Sequence, residues 1–248
     1  EEGSWPRQLE QQLAAEAGGA WQPVVANLGV NGYHGASYLK MFEEVGADLA
    51  PDVVLVGFNL NDFPNAISAV DEKVFKDRST RRMIPKGLRD SMGRSSLYRW
   101  ARQTFYHMRR EADWANAETF AAGVAKDDAD SPVWRKQREI LAEIKAAAEA
   151  QGARMAVFLF PYESQLYMDV YDTTPIERLR ALCDEIEVPY VDLAESFRAA
   201  IRADASLPNL FLRGDRYHPT PAGYGLVAKR VALELKNEGW LPKPAEEQ

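Results

Sequence analysis

An aspartate and a histidine just before the last predicted helix are the side chains best suited to acid–base chemistry. Asp215 and His218 stand three positions apart. In such a turn a carboxylate can accept a hydrogen bond from imidazole Nδ1, which leaves Nε2 as a general base. Pro219 disfavours helix at His218, and Thr220-Pro221 is a typical helix start, so the imidazole is expected on a rigid loop. The spacing alone is weak, since a turn-capping carboxylate beside a surface histidine gives the same pattern.

Two further loops contain groups that could stabilise a negatively charged oxygen. Gly32 has no side chain to block the approach of its backbone N–H, and Asn61 could donate a side-chain N–H to the same oxygen. Acyl transfer needs preorganised donors of this kind, and loss of one typically costs about 10²–10³ in rate. Each residue alone is weak evidence because Gly and Asn are common in turns. The three loops together favour nucleophilic acyl transfer.

The segments between these loops alternate between buried strands and amphipathic helices. Apolar runs predict strands over 23–28, 53–58, 155–160 and 189–193, and helical spacing predicts helices beginning at Ser4, near Tyr38, at Ser131, at Thr174 and at Thr220. Unalternating apolar strands are typical of parallel sheets covered by helices on both faces. We therefore expect a doubly wound, three-layer α/β/α domain. Ligands of such sheets bind beyond the carboxyl ends of the strands, where the three loops would lie.

The 248 residues predict one domain that spans 1–248 and is interrupted at about 63–131. The interrupting region is rich in charge and contains one amphipathic stretch, Leu97, Trp100, Phe105 and Met108, but no convincing strand. We interpret it as a lid-like or helical insertion.

Composition excludes several other classes of protein. Thirty basic and 37 acidic residues give a net charge of −7, which argues against a nucleic-acid binder. Three scattered histidines and the single Cys183 show no zinc-ligand spacing, so we expect neither a metal nor a cofactor. No apolar run approaches the roughly 18–20 residues of a membrane span. Compartment, cytoplasmic or exported, and oligomeric state stay open.

The three loops resemble conserved blocks of the SGNH (GDSL-type) hydrolase family. Residues 27–32 are similar to its glycine block, 57–62 to its G-x-N-D block, and 215–220 with Gly223-Tyr224 to its D-x-x-H-P-T block. The resemblance implies an SGNH/flavodoxin-like α/β/α fold and metal-free hydrolysis of a carboxylic or O-acetyl ester through an acyl-serine. It implies that His218 is the base, that Asp215 orients it, and that Gly32 and Asn61 form the oxyanion hole.

The nucleophile of that family is not found in this sequence. Its Gly-Asp-Ser block follows the first strand, and no Gly-Asp-Ser occurs among the 248 residues. We expect the strand and its serine upstream of residue 1, and the chain as given to be inactive. Ser4 is not expected to replace that serine, because a helix N-cap hydroxyl is engaged with backbone N–H groups.

Two alternatives share this fold. An O-acyltransferase would pass the acyl group to a sugar hydroxyl in place of water, and its first half-reaction is identical. A non-catalytic ligand- or partner-binding domain would have kept the pocket without a nucleophile. For the enzyme, a small-molecule or glycan ester is the expected substrate.

Overall fold

A computed structural model describes residues 3–30, 33–62, 130–167, 173–204, 207, 209–212 and 217–242, with only the backbone at Asn61, Ser164 and Tyr167. The predicted insertion at about 63–131 falls almost entirely outside these ranges. In chain order the elements are α1 (Trp5–Ala17), α2 (Gly35–Met41), a π-helical turn (Phe42–Gly46), a 3₁₀ turn (Ala47–Leu49), β1 (Val53–Phe58), a 3₁₀ turn (Leu60–Asp62), α3 (Pro132–Glu149), β2 (Arg154–Leu159), α4 (Glu163–Tyr167), α5 (Thr174–Glu185), β3 (Tyr190–Asp192), α6 (Ala194–Ala203) and α7 (Pro221–Asn237).

The described strands form one parallel sheet in the order β1-β2-β3. Val53 pairs with Arg154 at the start of β1, and Val157 pairs with Tyr190 at the start of β3. The central strand β2 is buried from Met155 to Leu159. Its continuous apolar sequence is explained by this position, because a central parallel strand is covered on both faces.

Alternating side chains of β2 pack into two hydrophobic cores on opposite faces of the sheet. Met155, Val157 and Leu159 pack in the core formed with α3 and α5. Ala156 and Phe158 pack in the core formed with α1, α6 and α7. The parallel sheet with helices on both faces confirms the predicted α/β/α class.

Most helix boundaries follow the predicted signals. Gly18 ends α1 with a left-handed φ of 55°, a backbone conformation that glycine adopts without steric cost. The Ser131 and Thr220 side chains accept N–H groups at the starts of α3 and α7. Ser4 does occupy the N-cap position of α1, but its side chain makes no capping hydrogen bond, so that part of the prediction is wrong.

The strand predicted over residues 23–28 does not form. This segment runs without regular secondary structure, and Val24 is 83% exposed. The backbone N–H of Val25 donates to Glu10 Oε2, and that of Gly29 donates to Asn27 Oδ1. An apolar run becomes a strand only where a neighbouring strand pairs with it, and none of the described strands does so here.

Two helices were not predicted, the short α4 and the longer α6. The turn into α6 is closed by Asp192, whose Oδ1 accepts the Ala194 N–H at 2.9 Å. Phe197 is fully buried and anchors the helix to the second core. The spacing of Ala194, Phe197 and Ile201 was the available signal for α6.

Candidate active site

His218 lies on a loop whose backbone is held by a short antiparallel bridge. Phe211 and Pro219 form the bridge, and the Leu212 N–H donates to the His218 carbonyl at 3.0 Å. The side chain of His218 is exposed and lines a groove described below. A fixed backbone with an accessible imidazole suits a residue that exchanges protons with a bound molecule.

The residues after His218 anchor this loop to α7. The Thr220 hydroxyl donates to the Asn209 carbonyl at 2.8 Å and accepts the Gly223 N–H at 3.3 Å. A Cβ at Gly223 would lie 2.3 Å from the carbonyl oxygen of Leu210. Only glycine therefore allows α7 and the loop to approach so closely, which gives the spacing of Thr220 and Gly223 a structural reason.

The residue before His218 connects the loop to the central strand. The buried ring of Tyr217 meets Tyr162 edge-on, with centroids 4.5 Å apart and an interplanar angle of 86°. Tyr162 follows β2, and its N–H donates to Gln165 Oε1 at 2.8 Å. This aromatic contact places Tyr217, and with it the His218 loop, at the carboxyl end of β2. Sequence reasoning missed Tyr162, whose partner lies 55 positions away.

Asn61 lies at the same edge of the sheet. Its backbone forms the middle of the 3₁₀ turn that begins two residues after β1, and the Asp62 N–H closes the turn on the Asn59 carbonyl at 2.9 Å. Because β1 and β2 run parallel, their carboxyl ends are neighbours. The fold thus brings the Asn61 turn and the His218 loop to one end of the sheet.

Asp62 braces this turn. Its Oδ2 accepts the Tyr38 hydroxyl at 2.8 Å and the Asn59 N–H at 2.7 Å. Burial raises the pKa of Asp62 to about 7, although both hydrogen bonds oppose the shift. Burial and the adjacent carboxylate also raise the pKa of Tyr38. The hydrogen bond between Tyr38 and Asp62 links α2 to the Asn61 turn. The sequence pattern had assigned Tyr38 only to one face of a helix.

The other two expected site residues, Gly32 and Asp215, lie outside the described residues. The hydrogen bond from His218 to Asp215 and the Gly32 oxyanion donor therefore stay predictions. His34 occupies the N-cap position of α2, and its Nδ1 is buried without a hydrogen-bond partner in the described part of the chain.

A groove of about 770 Å³ runs along β1 and reaches His218. Its walls include β1, the irregular segment 21–30, one face of α1, the end of α2 with the π-helical turn, and the region around Trp240. Leu9, Leu13 and Leu55 are among the apolar residues that line it, together with Phe160.

The start of α1 meets the start of α7 close to His218. A Cβ at Gly3 would lie 3.0 Å from Pro221 Cγ, so the two backbones approach closely. Gln8 Nε2 donates to the carbonyl oxygens of both Gly3 and Pro221 at 2.9 Å. The chain therefore enters α1 next to a residue that is three positions after His218.

Among the described residues, no three His, Cys, Asp or Glu side chains lie close enough together to hold a metal ion. None of the helices in the described ranges has the length and apolar character needed to cross a membrane.

Comparison with known proteins identifies the family to which the sequence is similar. The sequence model of the GDSL-like lipase/acylhydrolase family matches residues 1–226. A crystal structure of protein YXIM from Bacillus subtilis aligns at 20% identity with a TM-score of 0.35, over 42% of this chain and 32% of that one. The aligned region is thus about a third of that protein. No curated protein matches the sequence.

Proposed function

The chain belongs to the GDSL-like lipase/acylhydrolase family. We propose that it forms most of the catalytic domain of a serine esterase that cleaves carboxylic or O-acetyl esters. The observation that supports this most is the meeting of three features at one end of the sheet. They are the anchored His218 loop, the braced turn of Asn61 and the start of α1.

In the first half-reaction, Nε2 of His218 takes the proton of a serine hydroxyl while its oxygen attacks the ester carbonyl carbon. Asp215 accepts the hydrogen bond from Nδ1 and stabilises the imidazolium. The carbonyl oxygen becomes an oxyanion, which accepts hydrogen bonds from the Gly32 N–H and the Asn61 side chain. The C–O bond to the alcohol then breaks, and the alcohol leaves with the proton from His218.

In the second half-reaction, water takes the place of the alcohol. His218 removes a proton from the water, whose oxygen attacks the acyl carbon. Collapse of the second tetrahedral intermediate breaks the bond to the serine and returns the proton to the serine oxygen. The products are a carboxylic acid and the free enzyme.

The serine is proposed to lie upstream of residue 1, at the end of a strand that leads into α1. The position of Gly3 against Pro221 supports this, because it sets the first described residue of the chain close to the His218 loop. On this proposal the 248 residues by themselves are inactive. The substrate class is a small-molecule or glycan ester, which fits a base that is exposed at the mouth of a groove.

The test is hydrolysis of p-nitrophenyl acetate and of an acetylated glycan by the polypeptide that carries the serine. His218→Ala is expected to abolish turnover of both substrates with an unchanged circular dichroism spectrum. His107→Ala, in the predicted insertion, is the matched histidine control and should retain activity. Unchanged turnover in His218→Ala would reject the esterase assignment.

A further inference from the structure

The turn that contains Asn61 is too short to fix its own orientation. It is a single 3₁₀ turn, Leu60–Asp62, closed by the bond from the Asp62 N–H to the Asn59 carbonyl at 2.9 Å. Hydrogen bonds of 3₁₀ turns have poorer geometry than those of an α-helix. The Leu60 side chain is buried in the core formed with α3 and α5, which anchors one side of the turn. The orientation of Asn61 therefore also depends on what holds Asp62.

The buried carboxyl group of Asp62 accepts two hydrogen bonds with different consequences. Its Oδ2 accepts the Asn59 N–H at 2.7 Å, and this bond is local to the turn. The same oxygen accepts the Tyr38 hydroxyl at 2.8 Å, from a helix 24 positions earlier in the chain. The first bond fixes the shape of the turn, and the second fixes where the turn lies relative to α2.

Tyr38 itself is held in place on α2. Its N–H donates to the His34 carbonyl at 3.0 Å, and its ring packs against the core formed with α3 and α5. The start of α2 lies close to α3, because a Cβ at Gly35 would be 3.1 Å from Oε1 of the buried Gln137. A hydroxyl on a packed ring has few torsions to change, so it gives Asp62 a well-defined partner.

We propose that Tyr38 is a positioning residue of the oxyanion hole. Its hydroxyl holds Asp62, and Asp62 holds the turn in the orientation from which Asn61 donates to the oxyanion. Tyr38 does not touch the reacting atoms and acts only through the turn. The inference rests on the proposed function for the role of Asn61, whereas the hydrogen bond from α2 to the turn is a feature of the structure itself.

The alternative role for Tyr38 is a direct contact with the substrate. Tyr38 and Asn59 both line the groove that reaches His218. A contact of that kind would form in the ground state as well as in the transition state, so its loss would raise KM. Loss of a positioning bond would instead lower kcat, because an oxyanion donor acts mainly in the transition state. The two roles therefore predict changes in different constants.

The first test is the steady-state kinetics of Tyr38→Phe in the serine-bearing polypeptide, with p-nitrophenyl acetate as substrate. Phenylalanine keeps the ring and removes only the hydroxyl. We expect kcat to fall about tenfold, less than for complete loss of the Asn61 donor, and KM to change less than about twofold. Tyr190→Phe is the matched control and should keep the original kcat. Tyr190 is a partly buried tyrosine at the start of β3, away from the carboxyl end of the sheet where His218 lies.

A double-mutant cycle tests whether Tyr38 acts through Asn61. In an Asn61→Ala background the donor is absent, so Tyr38→Phe should change kcat less than about twofold. A general loss of folded protein would lower kcat by the same factor in both backgrounds. The cycle therefore separates a positioning role from a merely structural one.

The hydrogen bond itself can be tested without catalysis. The Tyr38 hydroxyl stabilises the ionised form of Asp62 and so lowers the pKa of that group, against the larger effect of burial. Tyr38→Phe should therefore raise the pKa of Asp62 further, while Tyr190→Phe leaves it unchanged. NMR titration of the polypeptide, isotopically labelled at its aspartate carboxyl carbons, measures this pKa, and Asp62→Asn identifies the resonance. An unchanged pKa in Tyr38→Phe would overturn the proposal.

The kinetic outcomes distinguish this inference from the esterase proposal. Turnover that depends on His218, together with an unchanged kcat in Tyr38→Phe, would reject the positioning role and leave the esterase intact. A rise in KM alone would assign Tyr38 to substrate binding, and equal losses of kcat in the two backgrounds would assign it a structural role; either result overturns the proposal. Absence of turnover in the unmodified polypeptide would reject the esterase and the positioning role with it.

Discussion

At the residue scale, Asp62 braces the turn that contains the proposed oxyanion donor Asn61. One of its oxygens holds both the Asn59 N–H and the Tyr38 hydroxyl. A fully buried carboxyl group with a pKa of about 7 is largely neutral below neutral pH. Because the side chain is buried and this oxygen is occupied by both donors, Asp62 is better placed to hold the turn than to act as a second acid in the site.

This burial predicts how stability depends on pH. The pKa of Asp62 is raised from 3.8 to about 7 by folding, so the folded state binds more protons between these values. Its contribution to the free energy of unfolding is fully present below about pH 4 and is lost as the pH rises to about 7. In urea titrations from pH 4 to 8, Asp62→Asn should therefore lose stability less steeply than the unmodified chain. Asp48→Asn, at an exposed site, should keep the original slope; an identical slope in Asp62→Asn would contradict the prediction.

Asn61 provides a kinetic prediction for the serine-bearing polypeptide. Asn61→Ala should lower kcat about 10²-fold or more with a smaller change in KM, because the donor acts mainly on the transition state. Steady-state kinetics with p-nitrophenyl acetate measures both constants. Asn237→Ala, at the end of α7, is the matched control. A rise in KM with an unchanged kcat would show that Asn61 binds the substrate in its ground state.

At the element scale, the loop from Leu210 to α7 is what presents His218. Two glycines in the first turns of α7 have different surroundings. A Cβ at Gly223 would lie 2.3 Å from a backbone carbonyl oxygen, whereas at Gly225 it would lie 3.0 Å from Oε1 at the flexible end of Gln8.

These different surroundings predict different effects on stability when each glycine is replaced by alanine. Gly223→Ala should lower the free energy of unfolding by about 1–3 kcal/mol, because the loop backbone must move. Gly225→Ala should be neutral or stabilising, since Gln8 can rearrange and alanine favours helix. Chemical denaturation measures both. Equal stability of the two variants would show that the approach of α7 to Leu210 is not a constraint.

The elements also show what the sequence could predict. Strands β1 and β2 were recognisable because each is a continuous apolar run that two helical layers cover. Residues 23–28 have the same local pattern but no pairing partner among the described strands, and pairing is not encoded locally. His218 and Asn61 were proposed as site residues from local motifs, whereas Tyr38 and Tyr162 contact residues 24 and 55 positions away, which no local pattern reveals.

At the scale of the whole molecule, the edge of the described sheet, the groove and the proposed site are continuous. The open side of β1 extends along the groove to His218, and α1 begins at that same end. The groove therefore leads from the edge of the described sheet to the proposed base.

The most direct test is labelling of the serine-bearing polypeptide with a fluorophosphonate, followed by mass spectrometry. The reagent reacts with a serine whose hydroxyl is activated by a neighbouring base. We expect one adduct, on the serine proposed to precede α1, with equal labelling in Ser4→Ala and at least 10²-fold slower labelling in His218→Ala. Labelling of a serine within residues 4–248, or labelling that His218→Ala leaves undiminished, would contradict it.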